Sequence, residues 1–550
     1  MTDDTTPATP ALDPVTLSVL ASALAGIAEE MGTVLVRSAY SSNIKERRDC
    51  SAALFDARSR LVAQAAHIPV HLGAMSASVQ AVHSRSPRAG DVWALNDPFT
   101  GGNHLPDITL VSPIELGGEI VGYAATRAHH SDIGGMRPGS MPADSREIYQ
   151  EGLVIPPVRV VTAGGWVDDV LDLIKANSRT PDLRLGDLRA QVSANRLASS
   201  RLREVADRHG RDVVLAAFGE VIAYGERRSR QHIRDLPDGR YEAAGEIEGD
   251  GVDDVDIPLH VAVVVDGDDL IVDFTGTSKA VAGNVNCPLA VTRSACCFAL
   301  RVLLPDDVPA NDGTYAPLRI VAAPGSLVDA RRPSAVVAGN VETSQRIADT
   351  MLLALSQVAS LPAQGQGTMN NLVIGGVRAG GDAWTYYETL GGGQGASPQG
   401  PGASGVHVGM TNTLNTPIEA LELEYPMRVE RYELDETTGG EGRHRGGSGL
   451  VRSIRVLTAA SVSLLTDRRR HAPQGTAGGR SGTPGCNEID GIALPPKASR
   501  QVDAGSVITV STPGGGGWGS SGAVGDDEEV AEAALAVGGE EGLFDAGADG

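Results

Sequence analysis

The strongest constraint in this chain is a pair of apolar runs separated by two glycines. "ITLVSPIEL" (108–116) and "EIVGYAATRA" (119–128) flank Gly117-Gly118. A Gly-Gly pair accepts the positive φ of a tight turn, so the runs are predicted as the arms of a β-hairpin. Counting from Leu116 opposite Glu119 sets Asp107 opposite Ala128. His104 and Asp107 then lie at the open end of the ladder, where His129 and His130 also arrive. Two imidazoles and a carboxylate converging there form the donor set of a divalent-metal site with open positions. The same pattern also suits solvated polar groups at strand ends. Opposite residues share a face, so an unbroken ladder sets His130 on the side of Asp107 and His129 on the other.

The flanking sequence gives the hairpin a setting. Asp13-Pro14 opens an apolar-periodic helix, with Asp as N-cap and Pro at the first helical position. "CSAALFD" and "RLVAQA" read as a second hairpin around an "ARSR" turn. His67 and His71 follow in H-I-P-V-H. Pro69 argues against a helix that would present them as a ligand pair, so they are read as structural or substrate-pocket residues. Asp97 is placed to orient a ligand from behind. The Gly- and Pro-rich stretch after His130 is expected to lie over the site.

Further along, helical periodicity runs to about residue 235 with a break at Arg179-Thr180-Pro181. A β-rich segment begins near Asp238-Gly239, and two helices precede a return to strands and glycines. The fold class is therefore α+β and multi-domain: N-terminal helices plus a β-hairpin metal site, then mixed α/β and β-rich, Gly-rich segments. The expected divisions are a disordered lead-in (1–12), an N-terminal metal-site domain (13–235), a central mixed region (236–425), a C-terminal β-rich region (426–519) and an acidic disordered tail (520–550).

Several functions are disfavoured. A net charge of -23 argues against nucleic acid and against an anionic membrane surface as partners. No apolar run is read as long enough for a membrane span, and the acidic, Pro-rich start is unlike a signal peptide. Five scattered cysteines without a C-x-x-C suit buried thiols in a reducing cytoplasm. There is no G-x-x-x-x-G-K-[ST] and no G-x-S-x-G. "GGGQGA" (391–396) and "GGGGWG" (514–519) lack a strand–loop–helix setting with a following Lys, and are read as tight backbone turns, not nucleotide cradles.

Seven motifs in one order carry a family resemblance: "NDPFTGGNHLPDITLVSP", "HHSDIGGMRPGSMP", "VDFTGTS", "YETLGGGQGA", "MTNTLNTPIEALE", "RHRGGSGLVR" and "TPGGGGWG". Across residues 13 to 519 the chain resembles the hydantoinase B / 5-oxoprolinase family. This family includes B subunits of ATP-dependent hydantoinases and N-methylhydantoinases, and is related to acetone and acetophenone carboxylase subunits.

The resemblance implies a division of labour. A partner A-type subunit would use ATP to phosphorylate a cyclic amide (hydantoin, N-methylhydantoin or 5-oxoproline). This chain would hold a divalent metal (manganese, iron or zinc) and complete the hydrolysis. The family's H-x-x-D and downstream His fall on His104, Asp107 and His129, so the resemblance favours His129 as third ligand where strand parity favours His130. His130 and Asp132 are the catalytic candidates, His130 as a proton shuttle, and His407 the substrate-binding one. Relatives often carry "GVHTHMTNT" where this chain reads "GVHVGMTNT", so the second His is replaced by Gly409. A cytoplasmic hetero-oligomer is expected. The alternatives are a subunit of an acetone/acetophenone-type carboxylase, or a non-catalytic scaffold.

Overall fold

The structure is a computed structural model that describes residues 12–65, 67–71 and 73–521. The expected lead-in and acidic tail lie almost wholly outside the described residues. The fold is α+β, with helices and several separate sheets. Its centre for function is a seven-stranded sheet. The strands are β1 (Cys50–Asp56), β2 (Leu61–Ala65), β3 (Val92–Leu95), β4 (Asp107–Leu116), β5 (Glu119–His129), β6 (Val158–Thr162) and β7 (Gly165–Trp166). Their order is β2-β1-β5-β4-β3-β6-β7, so the predicted hairpin β4–β5 lies in the interior, flanked by β1 and β3.

An interior strand must bury both faces, and the two faces have different covers. On one face, Ala52, Leu54, Ala124 and Ala128 pack against the helices Pro14–Ser38, Pro181–His209 and Arg211–Arg234 through Leu24, Ile27, Ala194 and Phe218. On the other, Ala53, Phe55, Val111 and Ala125 meet Met75, Val79 and Val82 of the helix Ala74–His83. Small alanines on the strands let these helices approach closely. The helix Pro14–Ser38 starts as the sequence predicts, with Asp13 Oδ1 accepting the N–H groups of Val15 and Thr16. It is long and apolar enough to cross a membrane, contrary to the expectation for this chain, yet Leu20, Leu24, Ile27, Met31 and Leu35 are buried against the sheet.

The hairpin register differs from the expected one. Leu116 does pair with Glu119, but Glu115 pairs with Ile120 and Ile114 with Gly122, which leaves Val121 as an extra residue on β5. This bulge shifts all later pairs by one and sets Asp107 opposite His129, not Ala128.

The remaining sheets have four, four and five strands. Between them the Gly-rich stretches run extended and side by side, not as tight turns. No residue from Gly391 to Gly395 or Gly514 to Gly517 has positive φ. Gly515 donates to the Gly447 carbonyl, Gly447 to Gln394 and Gly440 to Gly515. A Cβ on Gly393 would stand 2.0 Å from the Gly447 oxygen, so only glycine permits this backbone spacing.

Candidate metal centre

Three of the expected ligands come together at the open end of the hairpin. The ligand atoms of His104, Asp107 and His129 all lie within 4.8 Å of one another, and all three residues are buried. Asp107 Oδ1 is 3.3 Å from His104 Nε2 and 3.4 Å from His129 Nδ1. His71 joins them, with Nε2 3.4 Å from Asp107 Oδ2 and Nδ1 2.8 Å from Ser51 Oγ. His71, read from the sequence as a structural or substrate-pocket residue, lines the cavity beside them. Pro69 does prevent an α-helix, but the 3-10 turn Pro69–His71 delivers the ring instead. His67 lies apart, near Glu29.

The loop before β4 is built to hold His104. Asn96 Nδ2 donates to the Leu105 carbonyl, and its Oδ1 accepts from Ile155 N–H. Arg127 is fully buried on β5 and donates from Nη1 to Asn103 Oδ1 at 2.6 Å, with Nη2 on Ser78 Oγ and the Gly101 carbonyl. Gly101 has φ 101°, and a Cβ there would stand 2.6 Å from the Ala77 backbone. The loop therefore lies directly on the helix Ala74–His83. On the far side, Tyr387 stacks on His129 with centroids 4.4 Å apart and 12° between planes, and its hydroxyl donates to Asn371 Oδ1.

The donor chemistry fits a cation. Both nitrogens of His104, both oxygens of Asp107 and Nε2 of His129 are buried without a hydrogen-bond partner. Buried polar groups are normally paired, and one donor atom from each of these three residues lies close enough to the others to share a single ion. The mixed nitrogen–oxygen set suits a divalent transition metal. Burial by itself would raise the Asp107 carboxyl, but the imidazoles of His104, His129 and His71 hold it well below the usual carboxylate range. Asp49, Asn340, Thr389, Thr411 and Thr413 complete the cavity walls, which leave about 10 Å³ of free space, enough for one ion or water.

The other candidates stand elsewhere. His130 follows His129 and points to the opposite face, where its Nε2 lies 3.0 Å from Gln191 Oε1 on the helix Pro181–His209. Burial, then the nearby Arg184 cation, push its pKa down to about 4. The shuttle candidate is not among the residues that line the cavity. Asp132 accepts from the N–H groups of Gly134, Gly139 and Arg179 and from the Arg179 guanidinium. It ties down the loop after β5 and does not line the cavity. None of residues 134–160 of that loop lines the cavity, although Met141 and Ala143 share a core cluster with the lining residues Ile68 and Val70. Asp97 caps Phe99 N–H and pairs with Arg332, not with a ligand. His407 stands one layer behind the wall, 3.2 Å from Thr411 Oγ1 and 3.3 Å from Thr413 Oγ1. Gly409 has φ 67°, which strains any other residue there, and a Cβ would require the Gln345 side chain to shift.

Comparison with known proteins gives this geometry a context. The family model described as hydantoinase B/oxoprolinase matches residues 13–521. The chain is 40% identical to 5-oxoprolinase 1 of Arabidopsis thaliana over 92% of its own length, but spans only 42% of that relative. It is 34% identical to a putative B-type subunit of a D-/L-hydantoinase from a Pseudomonas species, covering 92% of this chain and 90% of that protein. Among solved structures, the ATP-dependent caprolactamase of Pseudomonas jessenii superposes with a TM-score of 0.87 at 28% identity, over 93% of this chain and 92% of that one.

Proposed function

The chain belongs to the hydantoinase B/oxoprolinase family, and from that premise we propose that it is the metal-site subunit of an ATP-dependent cyclic-amide hydrolase. The observation that carries the proposal is the buried, unpartnered set His104, Asp107 and His129. His71 joins the set from the 3-10 turn, oriented by Ser51. A divalent ion held there supplies Lewis acidity for water attack on an activated carbonyl.

The activating step belongs to a partner. The near end-to-end match to a protein named as one subunit of a hydantoinase supports an A-type partner, in a hetero-oligomer that we place in the cytoplasm. That partner would transfer a phosphoryl group from ATP to the oxygen of a cyclic amide, which is otherwise a poor electrophile. Water then adds at the activated carbon, the ring C–N bond breaks, and the nitrogen takes a proton. Phosphate leaves. Two waters enter overall, one ending in the carboxyl group and one in the phosphate. In this chain, Asp107 and the three histidines hold the site, Asn96 and Arg127 fix the loop that carries His104, and Tyr387 fixes the His129 ring plane.

The test is reconstitution with the A-type partner. ATP turnover is expected only with a cyclic amide present, and is expected to be lost when the metal is stripped. Turnover that required bicarbonate and a ketone would replace this reading with a carboxylase.

A further inference from the structure

The metal cavity has space for one ion or water, so a ring that is to be opened needs a second space. One lies against it. A pocket of about 220 Å³ is lined by Gln345, Gly367 and Gly409, and the metal cavity by Val341, Met369 and Thr411. Each residue of the first set is within a few positions of one in the second, so the two spaces adjoin along three stretches of chain. Gln345 ties two of these together: its Nε2 donates to the Val408 carbonyl and its Oε1 accepts from Met410 N–H. A water takes about 30 Å³ in the liquid, so the pocket admits a molecule of one small ring.

The lining of this pocket matches a neutral amide. Thr476 Oγ1 is buried without a hydrogen-bond partner. Arg468 Nη2 donates to Asp349 Oδ2 at 2.9 Å, and Asp349 Oδ1 accepts nothing among the described residues. Gln364 Oε1 accepts from Gln474 N–H and Gln394 Oε1 from Ala403 N–H, which leaves both NH2 groups without an acceptor among the described residues. Free donors and free acceptors in one pocket meet the carbonyl and the N–H of an amide. Phe298, Val302, Leu352 and Pro362 supply an apolar side for ring carbons. No Lys or Arg lines the pocket, and Arg468 stands behind Asp349 as its counter-charge. A carboxylate or phosphoryl group on the ligand would lose its water there without gaining a cation.

We propose that this pocket is where a neutral cyclic amide binds to the subunit before it is activated. The ring carbonyl accepts from the Gln364 or Gln394 NH2 group, and the ring N–H donates to Asp349 Oδ1 or Thr476 Oγ1. The proposal rests on the hydrolase reading for the class of ligand, and it narrows that class. Hydantoin and N-methylhydantoin suit the pocket, whereas the carboxylate of 5-oxoproline does not.

The test uses two ligands with the same lactam ring: 2-pyrrolidinone, which is neutral, and 5-oxoproline, which adds one carboxylate. Each is titrated into the full chain without partner, ATP or metal, and binding is read by saturation-transfer NMR. The wild type is expected to bind 2-pyrrolidinone at least about tenfold more tightly than 5-oxoproline. Thr476→Val is expected to weaken 2-pyrrolidinone about three- to tenfold, as for loss of one hydrogen bond. Val302→Trp, which fills the pocket from a partly exposed position, is expected to abolish binding. Failure of the wild type to bind 2-pyrrolidinone, equal binding of the two ligands, or wild-type affinity in either variant would each overturn the proposal. If Val302→Trp does not fold, Thr476→Val decides alone. Binding is read without turnover, so the pocket can fail while the reconstituted complex hydrolyses a cyclic amide, and can stand where that complex does not.

Discussion

Asp107 stands directly across the hairpin from His129, and the extra residue Val121 on β5 is the reason. In a sheet, a shift of one residue exchanges the two faces. Without it, Asp107 would share a face with His130, whose surroundings on the helical side are Gln191 and Arg184. With it, Asp107, Thr109, Arg127 and His129 fall on one face, and Arg127 Nε donates to Thr109 Oγ1.

Asp107→Asn and His129→Ala should each lose bound metal and activity together. Asp107 alone touches three imidazoles, so its substitution is expected to weaken metal binding by roughly 100-fold or more, beyond the range typical of residues behind the ligands. Elemental analysis beside single-turnover rates checks this. Full metal retention in His129→Ala would remove His129 from the ligand set.

His130→Ala should keep its metal. It leaves Gln191 Oε1 buried without its imidazole partner, so stability is expected to fall by about 1–3 kcal/mol. Denaturant unfolding together with metal content separates the two effects. Loss of metal at unchanged stability would place His130 at the centre after all.

Asp132→Ala should act on the loop and not on the cavity. A fully buried carboxylate is removed from three backbone N–H groups and from Arg179, which is itself partly exposed. The expected loss is about 3 kcal/mol, with metal affinity unchanged. Thermal unfolding and metal titration of the same preparation are the measurements.

Glu342 predicts a pH dependence of stability. It lies on the π-helical turn Gly339–Thr343, whose Asn340 and Val341 line the cavity. Burial, then the Asp467 carboxylate, push its pKa up to about 8 from the ordinary 4.5. The folded chain therefore binds this proton more tightly than the unfolded chain. Its contribution to stability is complete below pH 4.5 and is lost as pH rises to about 8. The slope from this one group is up to about 1.4 kcal/mol per pH unit. Glu342→Gln should flatten the curve in that window, read as unfolding midpoints from about pH 5 to 8. An unchanged slope would show that Glu342 is ionised in the fold.

Much of the local structure was legible in the chain. Asp13-Pro14 marks its helix, Gly117-Gly118 turns its hairpin, and H-x-x-D with a later His names three residues that do meet. These are short-range signals, written in capping, turn chemistry and spacing. Thr389, Thr413 and Tyr387 were not legible as parts of the site. They reach it from separate places in the chain, and nothing local in Tyr387 distinguishes it from a core aromatic.

The sequence by itself determined the family, the hairpin and that His104, Asp107 and one of two adjacent histidines converge, because motif order and turn chemistry depend on neighbours along the chain. Only the tertiary structure decided which of two adjacent histidines faces Asp107. That choice rests on a bulge, and a bulge is fixed by how β5 must lie between β1 and β4, not by the residues that form it. The hairpin's own residues specify a strand pair; the packing around it turns one end of that pair into a site.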